Sequence, residues 1–511
     1  NKNLKSIYKG PIKLTDAVLG IDIGTSSVKV IAVNRHGKVL QSESESLDII
    51  QPQNGFNEQH PEAWFEATKR CIKRLMVTDE VKHMHISGLS LSGQMHSLVI
   101  LDDNGEPLRN AILWNDTRTT PQCEVIREKL GDYVLDNPVL EGFTLTKLLW
   151  IKENEPEHWR NTKVFLLPKD YVRFKLTGKL NMEYSDASST LLFDHKCKAW
   201  DENIGEQFDI HNIYPKLVAS HKLVGYMDEK IATELGVNGQ VAVIAGGGDN
   251  ACGALGAGMI KTNETLCSIG TSGVVLSCES EKHTEYRRNM HYFNHALEDM
   301  AYVMGVTLAA GDSLQWLRRN ILGHLSYDEI ITMASQSQVG SNGLLFTPYL
   351  SGERTPHGDS NIRGSFIGLS GLHSSGDMAR AVIEGITFSL FESIKYLRDC
   401  GKDIQHIVSI GGGAKSDFWL QLQADIFNAE ISKLKYEEGP CMGAAILAVC
   451  GLGWYESIEA ATKQFIRYEK SFKPDSEKHK QYMQYFALYQ SVYRQTQSLT
   501  ASLLEISKSK K

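Results

Sequence analysis

A short motif occurs twice in this chain, once near its start and once near its middle. The first copy is Leu19-Gly-Ile-Asp-Ile-Gly-Thr-Ser-Ser-Val-Lys-Val-Ile31, and the second is Leu266-Cys-Ser-Ile-Gly-Thr-Ser-Gly-Val-Val-Leu276. In each copy a run of apolar, strand-forming residues stops at Ile-Gly-Thr-Ser and then resumes, which predicts two strands joined by a tight glycine turn. Two copies of this hairpin predict two related domains, and a chain of 511 residues has room for both.

The spacing of apolar residues predicts an α/β fold. Helices are predicted over residues 61–76, 121–130, 144–154 and 168–176, and strands over 39–44, 85–91 and 97–101. The apolar stretch 440–454 is too short to span a bilayer, so we expect a buried helix there. Because a glycine-rich segment near 245–262 suits a domain junction, the predicted domains are 17–248 and 249–455, followed by a C-terminal helical tail at 456–511.

Charge and cysteine content exclude several classes of protein. The net charge is -7 and the basic residues are scattered, which argues against a nucleic-acid partner. The one basic run, at 508–511, is predicted to be a solvated tail. The nine cysteines include no C-x-x-C pair, which argues against a zinc site or a disulfide framework and favours a cytoplasmic protein with no membrane partner. The first 16 residues lack the apolar core of a signal peptide and are left out of the fold prediction.

Two familiar nucleotide-binding motifs were tested against the sequence. The segment 246–251 fits the loosened dinucleotide pattern G-x-G-x-x-G/A, but the strand that follows it ends in Gly270-Thr271 without an acidic residue to bind a ribose. No G-x-x-x-x-G-K-[ST] sequence is present, since each Gly-Lys pair is followed by Val, Leu or Asp. An oxidoreductase and a P-loop ATPase are therefore both disfavoured.

Two acidic residues stand next to predicted strands. Asp22 lies inside an apolar strand, where a carboxylate without a cationic partner is costly, so it would hold a metal or bond the adjacent turn. Asp249 follows a strand and three glycines, at a position where ligands of α/β proteins bind, although a helix-capping aspartate is equally compatible with the spacing. The two Ile-Gly-Thr-Ser turns between them offer N–H groups and hydroxyls suited to phosphate.

Further polar residues follow other predicted strands. The segment ending in His96 and the segment Trp114-Asn-Asp-Thr-Arg118 both carry several hydrogen-bonding groups. Such groups suit a polyhydroxylated ligand, although a single buried histidine is more often a satisfied core residue.

Two long patterns in the chain resemble the signatures of the FGGY carbohydrate kinases. They are Gly142-x-Thr144-x-x-Lys147-Leu148-x-Trp150-Ile151-x-Glu153-Asn154, and Gly364-x-Phe366-x-Gly368-Leu369 followed by Ala381-Val382-Ile383-Glu384. The resemblance covers residues 17–455 and is extended by the segments 92–96, 114–118, 167–173, 246–250 and 351–356, which are similar to those of kinases that act on D-xylulose. It departs from them at Cys252 and at Cys441-Met442, which are not polar site residues.

The resemblance implies two actin-like (ribonuclease H-like, ASKHA) domains with a central cleft, and ATP-dependent phosphorylation of a sugar. It implies Asp249 as the catalytic base and Mg²⁺ near Asp22 and Asp249. Met95, His96, Asp249 and Asn250 would bind the sugar. The remaining implied residues would bind ATP, through its phosphates at Gly24, Thr25, Ser26, Gly270 and Thr271, and through its base and ribose at Gly311, Gln315, Gly412, Gly413, Ala414 and Phe418.

The resemblance leaves the substrate and the assembly state open. D-xylulose is the expected substrate, with ribulose, gluconate and glycerol as alternatives, and a homodimer is common in the family. A chaperone-like ATPase with the same core is the alternative from another class. Such a protein needs a separate peptide-binding domain, and the residues after Trp454 are too few to form one.

Overall fold

The computed structural model describes residues 15–280 and 285–508, and it divides the chain into two compact units. The first unit comprises the chain up to Ile260, Phe293–Ala301 and Glu437–Arg467, and the second comprises Lys261–Tyr292, Tyr302–Tyr436 and the chain from Tyr468 on. The predictions for the first 14 residues and for the basic run beyond Lys508 concern residues outside the described ones.

Strands and helices alternate along the chain, as the apolar spacing predicts. The strands are β1 Asp16–Ile23, β2 Ser27–Asn34, β3 Val39–Ser46, β4 Glu58–Gln59, β5 His85–Gly93, β6 Val99–Leu101, β7 Ala111–Ile112, β8 Tyr133–Val134, β9 Asn137–Pro138, β10 Val164–Leu166, β11 Asn181–Glu183, β12 Phe193–Asp194, β13 Ala199–Trp200, β14 Lys216–Val218, β15 Leu223–Tyr226, β16 Ala242–Gly248, β17 Thr265–Ile269, β18 Gly273–Ser280, β19 His291–Asn294, β20 Met300–Thr307, β21 Leu345–Thr347, β22 Ser365–Ile367, β23 His406–Gly411, β24 Glu430–Leu434 and β25 Tyr468–Phe472. The α-helices are α1 Pro61–Met76, α2 Thr120–Leu130, α3 Thr144–Asn154, α4 Pro156–Asn161, α5 Pro168–Thr177, α6 Tyr184–Ala187, α7 Glu202–Gln207, α8 Glu229–Glu234, α9 Asp249–Gly256, α10 Gly311–Asn320, α11 Tyr327–Gln336, α12 Ser375–Asp399, α13 Asp417–Phe427, α14 Pro440–Gly451, α15 Ile458–Phe465 and α16 Ser476–Lys508.

The first unit is built on a six-stranded sheet in the order β15-β16-β5-β1-β2-β3. The first copy of the repeated motif forms its β1–β2 hairpin, which is antiparallel. Strand β5 runs parallel to β1 on one side and to β16 on the other. The carboxyl ends of β1, β5 and β16 therefore meet at one edge of the sheet.

The second unit repeats this arrangement with different residues. The second copy of the motif forms the antiparallel β17–β18 hairpin, and β17 runs parallel to β23 as β1 does to β5. Strand β24 lies next to β23 and is followed by the edge strand β25. The prediction of two related hairpins in two domains is confirmed.

Helix α14 packs on the sheet of the first unit, although it follows most of the second unit in sequence. Its residues 441–451 are all buried. The helix approaches β1 so closely that a Cβ atom on Gly20 would lie 2.1 Å from the carbonyl oxygen of Cys441, so that only glycine fits there. An entirely apolar helix needs cover on all sides. In the structure, residues 437–467 group with the first unit. The compact units thus differ from the predicted ranges 249–455 and 456–511.

Four helices predicted from periodicity, α1, α2, α3 and α5, are confirmed within one residue at each end, and the apolar stretch 440–454 forms the buried helix α14 Pro440–Gly451. Helix α16 buries Tyr482, Phe486 and Tyr489, as expected of an aromatic stripe that packs into a core. Over residues 15–280 and 285–508, no helix combines the length and the apolar character that crossing a membrane requires.

Candidate active site

Two carboxylates lie at the edge of the first sheet where three parallel strands end. Asp22 on β1 is the register partner of Ser92 on β5, and Ser92 is in turn the partner of Gly247 on β16. Asp249 follows directly after β16, as the first residue of α9. Parallel topology thus brings Asp22 and Asp249 to the same sheet edge from distant parts of the sequence.

The pKa of Asp22 is higher in this site than it would be in water. Burial raises the pKa of Asp22 to about 6, against the opposing effects of the Ser92 hydroxyl and the Lys29 ammonium group. Lys29 is the register partner of Asp22 across the β1–β2 hairpin. Its ammonium group forms an ion pair with Glu438 at 2.6 Å, so its charge is shared between two carboxylates.

The pKa of Asp249 is raised further than that of Asp22. Burial, and after it the negative charge of Asp22, raises the pKa of Asp249 to about 7, while the N–H groups of Asn250 and Asp249 act in the opposite direction. The N-cap of α9 is Gly248, so Asp249 is not the capping residue that the spacing alone allowed. A carboxyl group with a pKa near 7 is suited to accepting a proton at neutral pH.

The two carboxylates fit a divalent cation. One oxygen of each, Oδ1 of Asp22 and Oδ1 of Asp249, is buried without a hydrogen-bond partner in the described part of the chain. Across residues 15–280 and 285–508, no group of three or more His, Cys, Asp or Glu side chains is arranged to hold a metal ion. Mg²⁺ is usually held by one or two carboxylates together with substrate phosphates and water. The two carboxylates therefore suit Mg²⁺ better than a metal ion whose ligands all come from the protein.

A buried ionic cluster lies behind the end of β16. Lys169 is fully buried and its ammonium group contacts the carboxylates of Asp170, Glu183 and Asp186 at 3.1, 3.1 and 2.5 Å. The hydroxyl of Ser185 donates to Glu183 at 2.9 Å and accepts the N–H of Gly248 at 2.9 Å. The cluster thus fixes the backbone immediately before Asp249. The sequence does not predict this cluster, because helical spacing does not reveal that a charged helix face is buried.

The predicted sugar-binding residues lie beside Asp249. The side-chain amide of Asn250 contacts Sδ of Met95 at 3.4 Å, and Met95 is almost fully buried. Cγ of Met95 lies 3.0 Å from the position of a Cβ atom on Gly248. Met95 and Asn250 therefore line the same edge of the sheet as Asp249.

His96 sits in a conformation that histidine seldom adopts. Its φ angle is 66°, in the left-handed region. Nδ1 lies 2.8 Å from the carbonyl oxygen of Ser189, and the ring packs edge-on against Phe143 and Phe293 at centroid distances of 4.7 and 5.6 Å. Its ring is thus held between a polar contact and two aromatic faces.

The segment 114–118 divides between the site and the core. Nε1 of Trp114 donates to Oγ1 of Thr25 at 2.9 Å, which ties this segment to the predicted phosphate turn of Gly24, Thr25 and Ser26. Arg118 is instead buried, and its guanidinium group pairs with Asp116 and Glu58, both at 2.7 Å. The polar groups of Asp116 and Arg118 are thus engaged with each other.

The second unit contains a pocket of about 600 Å³ that gathers most of the predicted nucleotide residues. Its wall includes Gly270, Thr271, Gly311, Gln315, Gly412 and Gly413. Backbone segments meet closely here, because the N–H of Gly311 donates to the carbonyl of Gly270 at 2.8 Å and a Cβ atom on Gly311 would lie 2.4 Å from that oxygen. Glycine is needed for this approach.

Two residues predicted for the nucleotide site, Ala414 and Phe418, do not line this pocket. Ala414 is buried and is not among the residues that line this pocket. Phe418 lines another pocket, of about 390 Å³, and its ring lies 5.3 Å from the guanidinium carbon of Arg380. Successive residues of α13 point in different directions, so Trp419 lines the pocket in place of Phe418.

Helix α11 supplies part of the pocket that the sequence analysis did not assign. Tyr327, Asp328, Ile331 and Thr332 all line it. The helix buries Ile330 and Ala334 on its other side. Ile331 lies outside the buried face, where a helix in contact with solvent normally carries polar residues. That apolar residue is the feature of the sequence that could have indicated a binding surface on α11.

Comparison with known proteins agrees with this geometry. The model of the FGGY family of carbohydrate kinases, N-terminal domain, matches residues 17–256, and that of the C-terminal domain matches residues 265–452. A xylulose kinase of Staphylococcus epidermidis is 56% identical over 491 residues, which cover 96% of this chain and 99% of that protein.

Solved structures resemble the chain over nearly its whole length. A ligand-bound xylulose kinase from Lactobacillus acidophilus has a TM-score of 0.89 at 28% identity and covers 94% of this chain and 98% of its own. A gluconate kinase from the same organism has a TM-score of 0.90 at 27% identity, with coverages of 96% and 99%. The prediction of an α/β fold with two actin-like domains is confirmed.

Proposed function

The chain belongs to the FGGY family of carbohydrate kinases, and we propose that it transfers the γ-phosphate of ATP to D-xylulose, forming D-xylulose 5-phosphate. Identity of 56% to a xylulose kinase over almost the full length supports this substrate. Structural similarity alone does not separate the sugars, because a gluconate kinase has an equally similar fold.

The observation that carries the chemistry is the pair of half-buried carboxylates at the ends of β1 and β16, each with one buried oxygen. Asp249 is the base. Its carboxylate takes the proton of the terminal sugar hydroxyl, the oxygen bonds to the γ-phosphorus, and the bond to the bridging oxygen breaks to release ADP. The raised pKa of Asp249, about 7, suits this step, and general-base assistance contributes roughly 10² to 10⁴ in rate.

Asp22 and Asp249 would hold Mg²⁺. The ion supplies charge neutralisation for the phosphate oxygens, which phosphoryl transfer requires. The unpartnered Oδ1 atoms of both residues support this assignment, as does the burial that favours a cation over a lone negative charge.

Sugar and nucleotide are assigned to separate groups of residues. Met95, His96, Asp249 and Asn250 bind the sugar, since they lie together at the edge of the first sheet. Gly24, Thr25 and Ser26 bind phosphate in the first unit, and Gly270 and Thr271 bind it in the second. The pocket of about 600 Å³ in the second unit has the size and the mixed apolar and polar wall expected of a nucleotide site.

A product assay tests this proposal. The protein is incubated with ATP, Mg²⁺ and equal amounts of D-xylulose, D-ribulose, D-gluconate and glycerol, and the phosphorylated products are identified by mass spectrometry. D-xylulose 5-phosphate should dominate. Preferential phosphorylation of gluconate would contradict D-xylulose as the substrate but not the kinase reaction. ATP hydrolysis without any sugar phosphate would contradict the proposed reaction itself.

A further inference from the structure

The side chain of Lys147, in the first signature segment, has no part in the proposed reaction and is fully buried. It begins the second turn of α3, and in the described part of the chain its ammonium group forms no ion pair within salt-bridge distance. Its hydrogen bonds go to backbone carbonyls instead. They are those of Glu141 and Phe143, both at 3.4 Å, and of Gly142 at a shorter distance.

A buried lysine in this position is costly. Burial lowers the pKa of Lys147 to about 7, and Asp116 offsets part of that effect. A cation near the amino end of a helix is also unfavourable, since that end carries partial positive charge. Helix stability therefore does not explain Lys147. The groups that favour its ammonium form are the nearby charge of Asp116 and the three carbonyl groups that it binds.

Those carbonyls belong to the turn that leads into α3, residues 141–143. Other donors converge on the same turn, because the hydroxyls of Thr119 and Thr146 both donate to the carbonyl of Glu141, at 3.2 and 3.1 Å. A Cβ atom on Gly142 would lie 2.9 Å from the carbonyl oxygen of Trp114. The turn is thus fixed on several sides.

The turn 141–143 and the residue that follows it both contact His96. Phe143 packs its ring against the imidazole at 4.7 Å. Thr144, the next residue, donates its hydroxyl to the carbonyl of His96 at 2.9 Å. A histidine at a φ angle of 66° depends on such contacts, since a left-handed conformation persists only where the surroundings hold it.

We propose that Lys147 is a positioning residue for sugar binding: by holding the turn 141–143, it fixes Phe143 and Thr144, and through them the backbone and ring of His96. This inference rests on the proposed function, in which His96 binds the sugar. The ammonium group of Lys147 binds the carbonyls of residues 141–143, so in this proposal it acts on affinity for the sugar and not on the chemical step.

Lys147→Met tests the proposal, because methionine has similar length without charge or hydrogen-bond donors. We expect the KM for the sugar to rise about 10- to 100-fold, the scale of effect that follows from a displaced binding group. The KM for ATP and kcat should stay within about twofold of the wild type. Lys152→Met on the same helix is the matched control, since Lys152 is partly exposed and pairs with Asp209 at the surface. That variant should resemble the wild type.

Hydrogen exchange separates this inference from the proposed function, because it does not depend on which sugar is used. Amide exchange over residues 94–98 and 141–146 should be faster in Lys147→Met than in the wild type and unchanged in Lys152→Met. If Lys147→Met does not fold, Thr144→Val, which removes only the bond to the carbonyl of His96, should give the same pattern more weakly. Unchanged exchange around His96, or an equal rise in both KM values, would overturn the positioning role.

Discussion

The negative charge of Asp22 adds to burial in raising the pKa of Asp249 to about 7. The two residues belong to strand ends that parallel topology brings together, with Ser92 between them in the register. The carboxylate of Asp22 thereby raises the pKa of Asp249 to a value suited to a base at neutral pH. Asp22 also has an oxygen without a hydrogen-bond partner in the described part of the chain, which could bind a cation. Both roles in the proposed reaction follow from this one relationship.

Replacing Asp249 by Asn should abolish most of the activity without unfolding the protein. The amide has nearly the same size and cannot accept the proton, so kcat should fall by roughly 10² to 10⁴. Isothermal titration should show ATP binding within a few-fold of the wild type. A turnover rate close to that of the wild type would rule out Asp249 as the base.

The pH dependence of kcat/KM should follow the protonation of Asp249. Below its pKa, about 7, the carboxyl group holds its proton and cannot act as base, so kcat/KM should fall as the pH is lowered through that value. Asp22→Asn removes the neighbouring charge that raises this pKa. The fall of its residual kcat/KM at acidic pH should therefore occur at lower pH than in the wild type. An unchanged pH of this fall would contradict the influence of Asp22 on the pKa of Asp249.

Asp22→Asn should also weaken the response to Mg²⁺. With one of the two carboxylates neutral, the free Mg²⁺ concentration needed for half-maximal rate should rise about tenfold or more, on the scale that loss of a metal-supporting group produces. The measurement is a titration of free Mg²⁺ at a fixed concentration of ATP. Asp209→Asn is the control, because Asp209 is exposed and pairs only at the surface. Equal titration curves for the two variants would exclude Asp22 from the metal site.

Gly311→Ala should impair nucleotide binding and leave sugar binding intact. The new Cβ atom would lie 2.4 Å from the carbonyl oxygen of Gly270, so the pocket wall has to shift. We expect the KM for ATP to rise about tenfold or more, as displacement of a binding group predicts. Gly371→Ala is the matched control in the same unit, since among the described residues no atom outside its two chain neighbours lies within 4 Å of its Cβ position. A normal KM for ATP in Gly311→Ala would show that this wall does not bind the nucleotide.

Lys169→Met should destabilise the protein far more than the loss of a surface lysine. Lys169 is fully buried and pairs with three carboxylates. Its loss would leave Glu183 and Asp186 without that cation, while Arg173 still pairs with Asp170, at a cost of about 3–5 kcal/mol. Lys152→Met removes an exposed pair worth about 0–1 kcal/mol. Urea denaturation gives both values. Equal stabilities for the two variants would mean that the cluster behind β16 does not hold its surroundings together.

Much of the fold was predictable because periodicity and turn chemistry are local. The Ile-Gly-Thr-Ser repeat predicted both hairpins, and apolar spacing predicted α1, α2, α3 and α5 within one residue at each end. The grouping of residues 437–467 with the first unit was not predictable in this way. An apolar helix indicates that it is buried, and the sequence does not say against which sheet.

The site was predictable to the extent that its residues follow strands. Asp22 and Asp249 were predicted as site residues because polar residues at strand ends meet in α/β folds. Apart from the one in the Ile-Gly-Thr-Ser turn, the glycines of the second-unit pocket were implied by the resemblance alone. Phe418, which the resemblance implied, does not line the second-unit pocket, where Trp419 of the same helix does. The direction of each side chain on α13 depends on the helix phase. The partners of Lys147 and Lys169 could not be predicted, since each depends on contacts made only after folding.

The most direct test of the account is a crystal structure with D-xylulose, Mg²⁺ and a non-hydrolysable ATP analogue bound together. We expect the terminal hydroxyl oxygen of the sugar within hydrogen-bonding distance of the Asp249 carboxylate, about 2.6–3.2 Å, with Mg²⁺ beside Asp22. A sugar bound away from Asp249, or a metal ion that touches neither carboxylate, would contradict the central claim.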